Sequence, residues 1–140
     1  MGVPKDIREI VLPMGATMHM DGSCLSAILK ISFLFGLYGK EFTGIGTFAT
    51  AILISVMSGV VMSGVPGGGL IGEMLIVNLY GFPPEAFPII ATIGFLVDPP
   101  ATMVNACGDS VAAMMVTRLV EGKEWLAKVI KGEVQGQFTE

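Results

Sequence analysis

The chain has 140 residues, of which 52% are hydrophobic and 14% charged, with mean hydropathy +0.73 and a formal net charge of −4. That balance excludes an ordinary water-soluble domain and describes a membrane protein. The few Lys and Arg sit mainly near the two ends and form no basic patch, so nucleic acid is excluded as a partner.

The opening MGVPKDIREI is polar where a signal peptide would carry its apolar core. It reads as a loop cut open, as expected for a fragment of a longer protein or a truncated reading frame. The first apolar run, residues 10–37, predicts a membrane helix over about 9–38, broken inside MGATMHMDGS at 14–23. Gly15 and Gly22 weaken the helix at both edges of this segment, and an interrupted helix in lipid frees carbonyls that need partners. Those carbonyls, the Asp21 carboxylate and the Met20 thioether make a cage suited to a small hard cation. The plainer alternative is a kinked core helix whose Asp21 caps the restart.

Residues 42–72 carry no charged side chain, and within them SGVPGGG, 63–69, is a Gly/Pro turn with nothing strongly polar to hold it in water. The apolar stretch after the turn, 70–79, is short for a span of about 20 residues. Residues 43–79 are therefore expected to form a re-entrant helical hairpin whose tip lies at membrane depth, buried in protein or lining a cavity. Two full spans are the rival reading.

The last apolar run predicts a membrane helix over 86–121, with a second break in VDPPATMVNACGDS at 97–110. Pro99 and Pro100 cannot continue a helix undisturbed, so Asp98 is expected to cap a new helix starting at the prolines. Asp98, Thr102, Asn105 and Asp109 then recur at intervals of four, three and four, which sets them on one face. A polar stripe on an apolar helix points to a site, or to structural bridging between helices. Residues 122–140 are expected to be a cytoplasmic tail with a short amphipathic helix.

Basic residues before the first helix and after the last put both ends in the cytoplasm, with Trp125 and Tyr80 as interfacial aromatics. Cys24 and Cys107 have neither metal nor redox spacing and are expected to be small buried packing residues. Lys30 and Glu73 are each costly alone in lipid. Either they form a buried ion pair, or Lys30 snorkels while Glu73 faces the cavity.

With these features in this order, the sequence resembles the dicarboxylate/amino acid:cation symporters, the glutamate transporter family, over nearly its whole length. LPMGATMHMDGS resembles the family's broken seventh helix, whose usual core reads Asn-Met-Asp-Gly-Thr. SGVPGGG resembles the tip of its second re-entrant hairpin, and DPPATMVNACGD the Thr-Met-Val-Asn-x-x-Gly-Asp run of its eighth helix.

The resemblance implies an all-α membrane protein, two broken transmembrane helices flanking a re-entrant hairpin, as in the C-terminal half of a transport domain. It implies a cation-coupled symporter, multi-pass in the cytoplasmic membrane among its lipids, with no enzymatic activity and no cofactor beyond co-transported sodium. The solute would be an amino acid or dicarboxylate. Asp98 would bind its amino group, Ser23, Thr102 and Asn105 would contact it, and Ser63, Gly64, Val65 and Gly67 would form the gate. One sodium site would use Asp109 with carbonyls of Gly15, His19 and Asn105. Another would use Thr17, Met20 and carbonyls near Met62, and a third Asp21.

Two positions depart from the family pattern. Acidic-substrate members carry Arg where this chain has Ala101, which favours a neutral solute; His19 stands where Asn is usual, which brings protons into consideration as the coupling ion. The family's first six helices, which build a homotrimer in a full-length parent, and its first hairpin have no counterpart in these 140 residues. The chain alone is expected to bind weakly and not to transport. An intramembrane aspartyl protease is the remaining alternative, although its Gly-x-Gly-Asp setting would meet Ala106-Cys107-Gly108-Asp109 here.

Overall fold

A computed structural model describes residues 2–132, and among these every regular element is helical. Helices α1 (Lys5–Met18) and α2 (Asp21–Leu37) form one interrupted run; α3 (Ile45–Met62) and α4 (Gly68–Tyr80) follow, then α5 (Ala86–Glu121) and α6 (Trp125–Ile130). The α1–α2 run, α3 and α5 are long and apolar enough to cross a membrane. At about 1.5 Å per residue, the 18 residues of α3 reach about 27 Å, and the 13 of α4 only about 20 Å.

The first break falls at His19 and Met20, with His19 in extended backbone. No such break occurs in α5, which is one helix of 36 residues through Pro99 and Pro100. The expected second break, and with it the capping role of Asp98, is thereby corrected. Each proline removes one N–H, so the carbonyls four residues earlier, of Phe95 and Leu96, lose their ladder partners. The ladder on either side spans enough turns to carry the helix across that gap. The carboxylates at 98 and 109 therefore belong to one continuous helix.

Helices α3 and α4 lie antiparallel as a hairpin, with Met62 beside Gly68 and Ser58 beside Gly72. Their turn is closed by Gly64 and Gly67 at φ +63° and +74°, where a side chain would be strained. One apolar core joins Ile31 and Leu34 of α2, Ile54 of α3, Ile76 of α4 and Ile90 of α5, and ends in an aromatic group in which Phe35 meets Phe42, Tyr80 and Phe82. A second cluster packs Trp125 of α6 against Val3, Ile7 and Ala113, so Trp125 is buried instead of standing at an interface. Residues 133–140 of the expected tail lie outside the described residues.

Large apolar side chains such as Ile45, Phe95, Leu96 and Leu119 stand exposed along these helices, a surface suited to lipid. Lipid tails are as apolar as Leu, so burial alone drives helix association weakly and close backbone approach matters more. At Gly22 a Cβ would overlap the Ala101 carbonyl, so α2 and α5 meet backbone to backbone. Neither cysteine is buried as expected: Cys24 is half-buried with its Sγ against Gly59, and Cys107 is exposed on α5.

Candidate functional site

The break between α1 and α2 leaves backbone groups unpaired, and two other elements supply their partners. Asn105 of α5 accepts the N–H of Gly22 at 2.8 Å and that of Ser23 at 3.4 Å through Oδ1. Its Nδ2 donates to Ser23 Oγ at 3.2 Å and approaches Met20 Sδ at 3.5 Å. On the other side of the break, Ser63 Oγ at the hairpin tip donates to the Thr17 carbonyl. Thr17 turns its own hydroxyl back onto the carbonyls of Pro13 and Met14.

Three elements thus converge on a point where helical backbone is missing. Two cavities open there, of about 400 and 210 Å³, sharing Ser23, Met62, Gly67, Gly69 and Asp98 in their walls. The larger is also lined by Met20, Val65, Thr102, Asn105 and Asp109. The polar face of α5 therefore looks into this cavity, opposite the break and the hairpin turn. The smaller extends past Ala101 to Lys30 and Glu73.

Asp109 is nearly buried, and His19 Nδ1 stands 3.2 Å from its Oδ1. Gly15 packs so closely on the same carboxylate that a Cβ would overlap it. Gly15, His19 and Asp109 are thus brought together, although Gly15 and His19 line neither cavity.

Asp21 sits differently. Its Oδ1 accepts the N–H of Gly22 at 2.9 Å and its Oδ2 lies beside Gly108, so it joins the group from behind the cavity wall. Thr17, Ser63 and Gly64 are likewise near the break but outside both cavity walls. Among the described residues no three His, Cys, Asp or Glu side chains gather about one point. A cation held here would rely on backbone carbonyls beside single carboxylates, a donor set that suits a hard ion.

Lys30 and Glu73 do meet, Nζ donating to Oε1 at 3.0 Å, with both side chains almost wholly buried. The resemblance set His19 beside Asp109 through its carbonyl, and the structure adds a contact of the imidazole; the contact of Ser63 with Thr17 and the packing of Glu73 on Gly94 were not foreseen from the sequence. The last had a faint signal, because Gly94 is four residues before Asp98 and lies on the same face of α5.

The family described as the sodium:dicarboxylate symporter family matches residues 1–119. Among curated relatives, the neutral amino acid transporter A of Homo sapiens is 32% identical over 133 residues, covering 91% of this chain and 25% of that protein. The excitatory amino acid transporter 2 of Homo sapiens is 32% identical over 119 residues, covering 85% and 21%. The excitatory amino acid transporter 3 of Mus musculus is 32% identical over 117 residues, covering 84% and 22%. The chain spans a quarter or less of the length of these relatives. No solved structure matches. The family and these relatives are transporters and not enzymes, which overturns the protease alternative.

Proposed function

Because the chain belongs to the sodium:dicarboxylate symporter family, we propose that it forms the solute- and cation-binding part of a secondary active transporter of the cytoplasmic membrane. The observation that carries this reading is the shared cavity, in which Asp98, Thr102, Asn105 and Asp109 of α5 face Met20 and Ser23 at the helix break and Val65 and Gly67 of the hairpin turn. An ionisable group in a membrane interior is costly and is kept where it serves transport.

In this reading Asp98 takes the ammonium of an amino acid, with Ser23, Thr102 and Asn105 beside it. Asp109 and the carbonyls of Gly15, His19 and Asn105 hold one sodium ion. Thr17, Met20 and the backbone near Met62 hold a second, and Asp21 contributes to a third. Helices α3 and α4 form a re-entrant hairpin whose turn, through Ser63, Gly64, Val65 and Gly67, closes the cavity as a gate. The short reach of α4 supports this, as does the absence of any charge at the turn. The whole transport domain, and a homotrimer built on it, need the longer parent to which the relatives correspond.

Ala101 lines the smaller cavity and offers no charge to a side-chain carboxylate. A neutral amino acid is the solute this favours, and one relative carries the name neutral amino acid transporter. Uptake into proteoliposomes by the transporter that carries this segment tests the reading, with neutral, acidic and basic amino acids and succinate as solutes. Sodium-dependent uptake of neutral amino acids is expected. Uptake indifferent to sodium and abolished by a proton ionophore would overturn the sodium assignment, and strong glutamate uptake would overturn the neutral one.

A further inference from the structure

The buried Lys30–Glu73 pair has no part in the contacts assigned above. Glu73 Oε1 accepts from Lys30 Nζ at 3.0 Å, while Oε2 is buried without any hydrogen-bond partner. An ionised carboxylate accepts through both oxygens, and an unpaired acceptor away from water is costly. Glu73 nonetheless forms part of the wall of the 210 Å³ cavity, together with Lys30, Ser26, Asp98 and Ala101. Its position is also built from outside, because a Cβ at Gly94 of α5 would collide with Oε1. A glycine one turn before Asp98 thus makes room for this carboxylate.

The charges of the cavity decide what fits. Among the described residues lining the two cavities, Lys30 is the one Lys or Arg, and Glu73 already engages it. An acidic side chain would face two carboxylates with no unengaged cation. A basic one would set a second ammonium beside Nζ. A neutral side chain with an N–H or O–H group offers the donor that Oε2 lacks, met by a turn of the Glu73 carboxylate, because Oε2 itself is closed off in this structure.

We infer that the Lys30–Glu73 pair is a side-chain subsite of the solute cavity, selecting amino acids whose neutral side chain donates a hydrogen bond, an amide or a hydroxyl. This rests on Asp98 holding the amino group. The test uses the transporter that carries this segment, in lipid nanodiscs with sodium, and reads the Glu73 carboxylate by infrared difference spectroscopy, its band identified by loss in the K30M/E73Q double variant. Adding glutamine is expected to shift the band, and adding alanine, glutamate or lysine to leave it in place. No shift with glutamine, or an equal shift with any of the other three, would overturn the subsite.

Equilibrium binding supplies a second measurement. A hydrogen bond to a charged group predicts glutamine binding about tenfold tighter than alanine. In K30M/E73M, where both charges are replaced by apolar groups of similar length and no acceptor oxygen is left at position 73, the two should bind alike; a tenfold preference surviving there would also overturn the inference. A Glu73 response to glutamine that needs no sodium would leave the subsite standing and sink the cation-coupled reading instead.

Discussion

Asn105 Oδ1 accepts the backbone N–H of Gly22 at 2.8 Å, so a side chain of α5 caps the helix that restarts after the break. The same amide holds the N–H and hydroxyl of Ser23. Asn105→Leu would leave those donors buried without partners and should cost about 1–3 kcal/mol of stability, measured by denaturant titration in lipid-detergent micelles. Asn105→Asp keeps the acceptor and should lose less; equal losses for the two variants would refute the capping role.

The contact from Ser63 to the Thr17 carbonyl joins the hairpin turn to the end of α1. Ser63→Ala removes one hydrogen bond, roughly 0.5–1.5 kcal/mol, which should loosen the turn about two- to tenfold. With Cys24 and Cys107 first replaced by Ala, a cysteine introduced by Val65→Cys should react faster with a hydrophilic thiol reagent when Ser63 is also Ala. An unchanged rate would mean that the turn is held elsewhere.

Lys30 and Glu73 are buried to a similar degree, so removing either partner strands a charge. Lys30→Met or Glu73→Gln alone should cost about 3–5 kcal/mol, read as the fraction folded after reconstitution. The K30E/E73K exchange should recover most of that loss. Failure of the exchange to rescue either single variant would show that the two charges do not act as a pair.

Gly22 packs on the Ala101 carbonyl, a backbone atom that cannot swing aside. Gly22→Ala should therefore push α2 from α5 and cost about 1–3 kcal/mol by overpacking. Gly46→Ala, where a Cβ would meet nothing, should be tolerated. Similar denaturation midpoints for the two variants would contradict the close approach of the helices.

The helical character of the chain, its first break and the polar stripe were legible because each rests on local chemistry: apolar runs, glycines flanking a charged residue, and side chains repeating every three or four positions. The break at the prolines was misread for a physical reason. Proline removes one hydrogen bond and crowds one carbonyl, but a 36-residue helix has many turns on each side to hold it, so Pro99 and Pro100 lie within α5. The pairing of Lys30 with Glu73 was one of two readings open in the sequence, since burial cost says that each needs compensation and not where it lies. Trp125 was misplaced because its partners, Val3 and Ile7, stand more than a hundred residues away along the chain. The resemblance brought His19 and Asp109 to one site, but the contact of the imidazole with the carboxylate depends on how α1 docks against α5, which no local pattern encodes.

The claim that matters most is that the break, Asn105 and Asp109 together hold a hard cation. Equilibrium binding of radioactive sodium to the transporter that carries this segment, in lipid nanodiscs, tests it directly, comparing wild type with Asp109→Asn. At an effective dielectric near 20, a unit charge a few ångströms away is worth more than about 1.4 kcal/mol, so the variant should bind sodium at least about tenfold more weakly. Saturable sodium binding that weakens in this way is the expected result; sodium binding unchanged by Asp109→Asn, or no saturable binding in the wild-type transporter, would contradict the account.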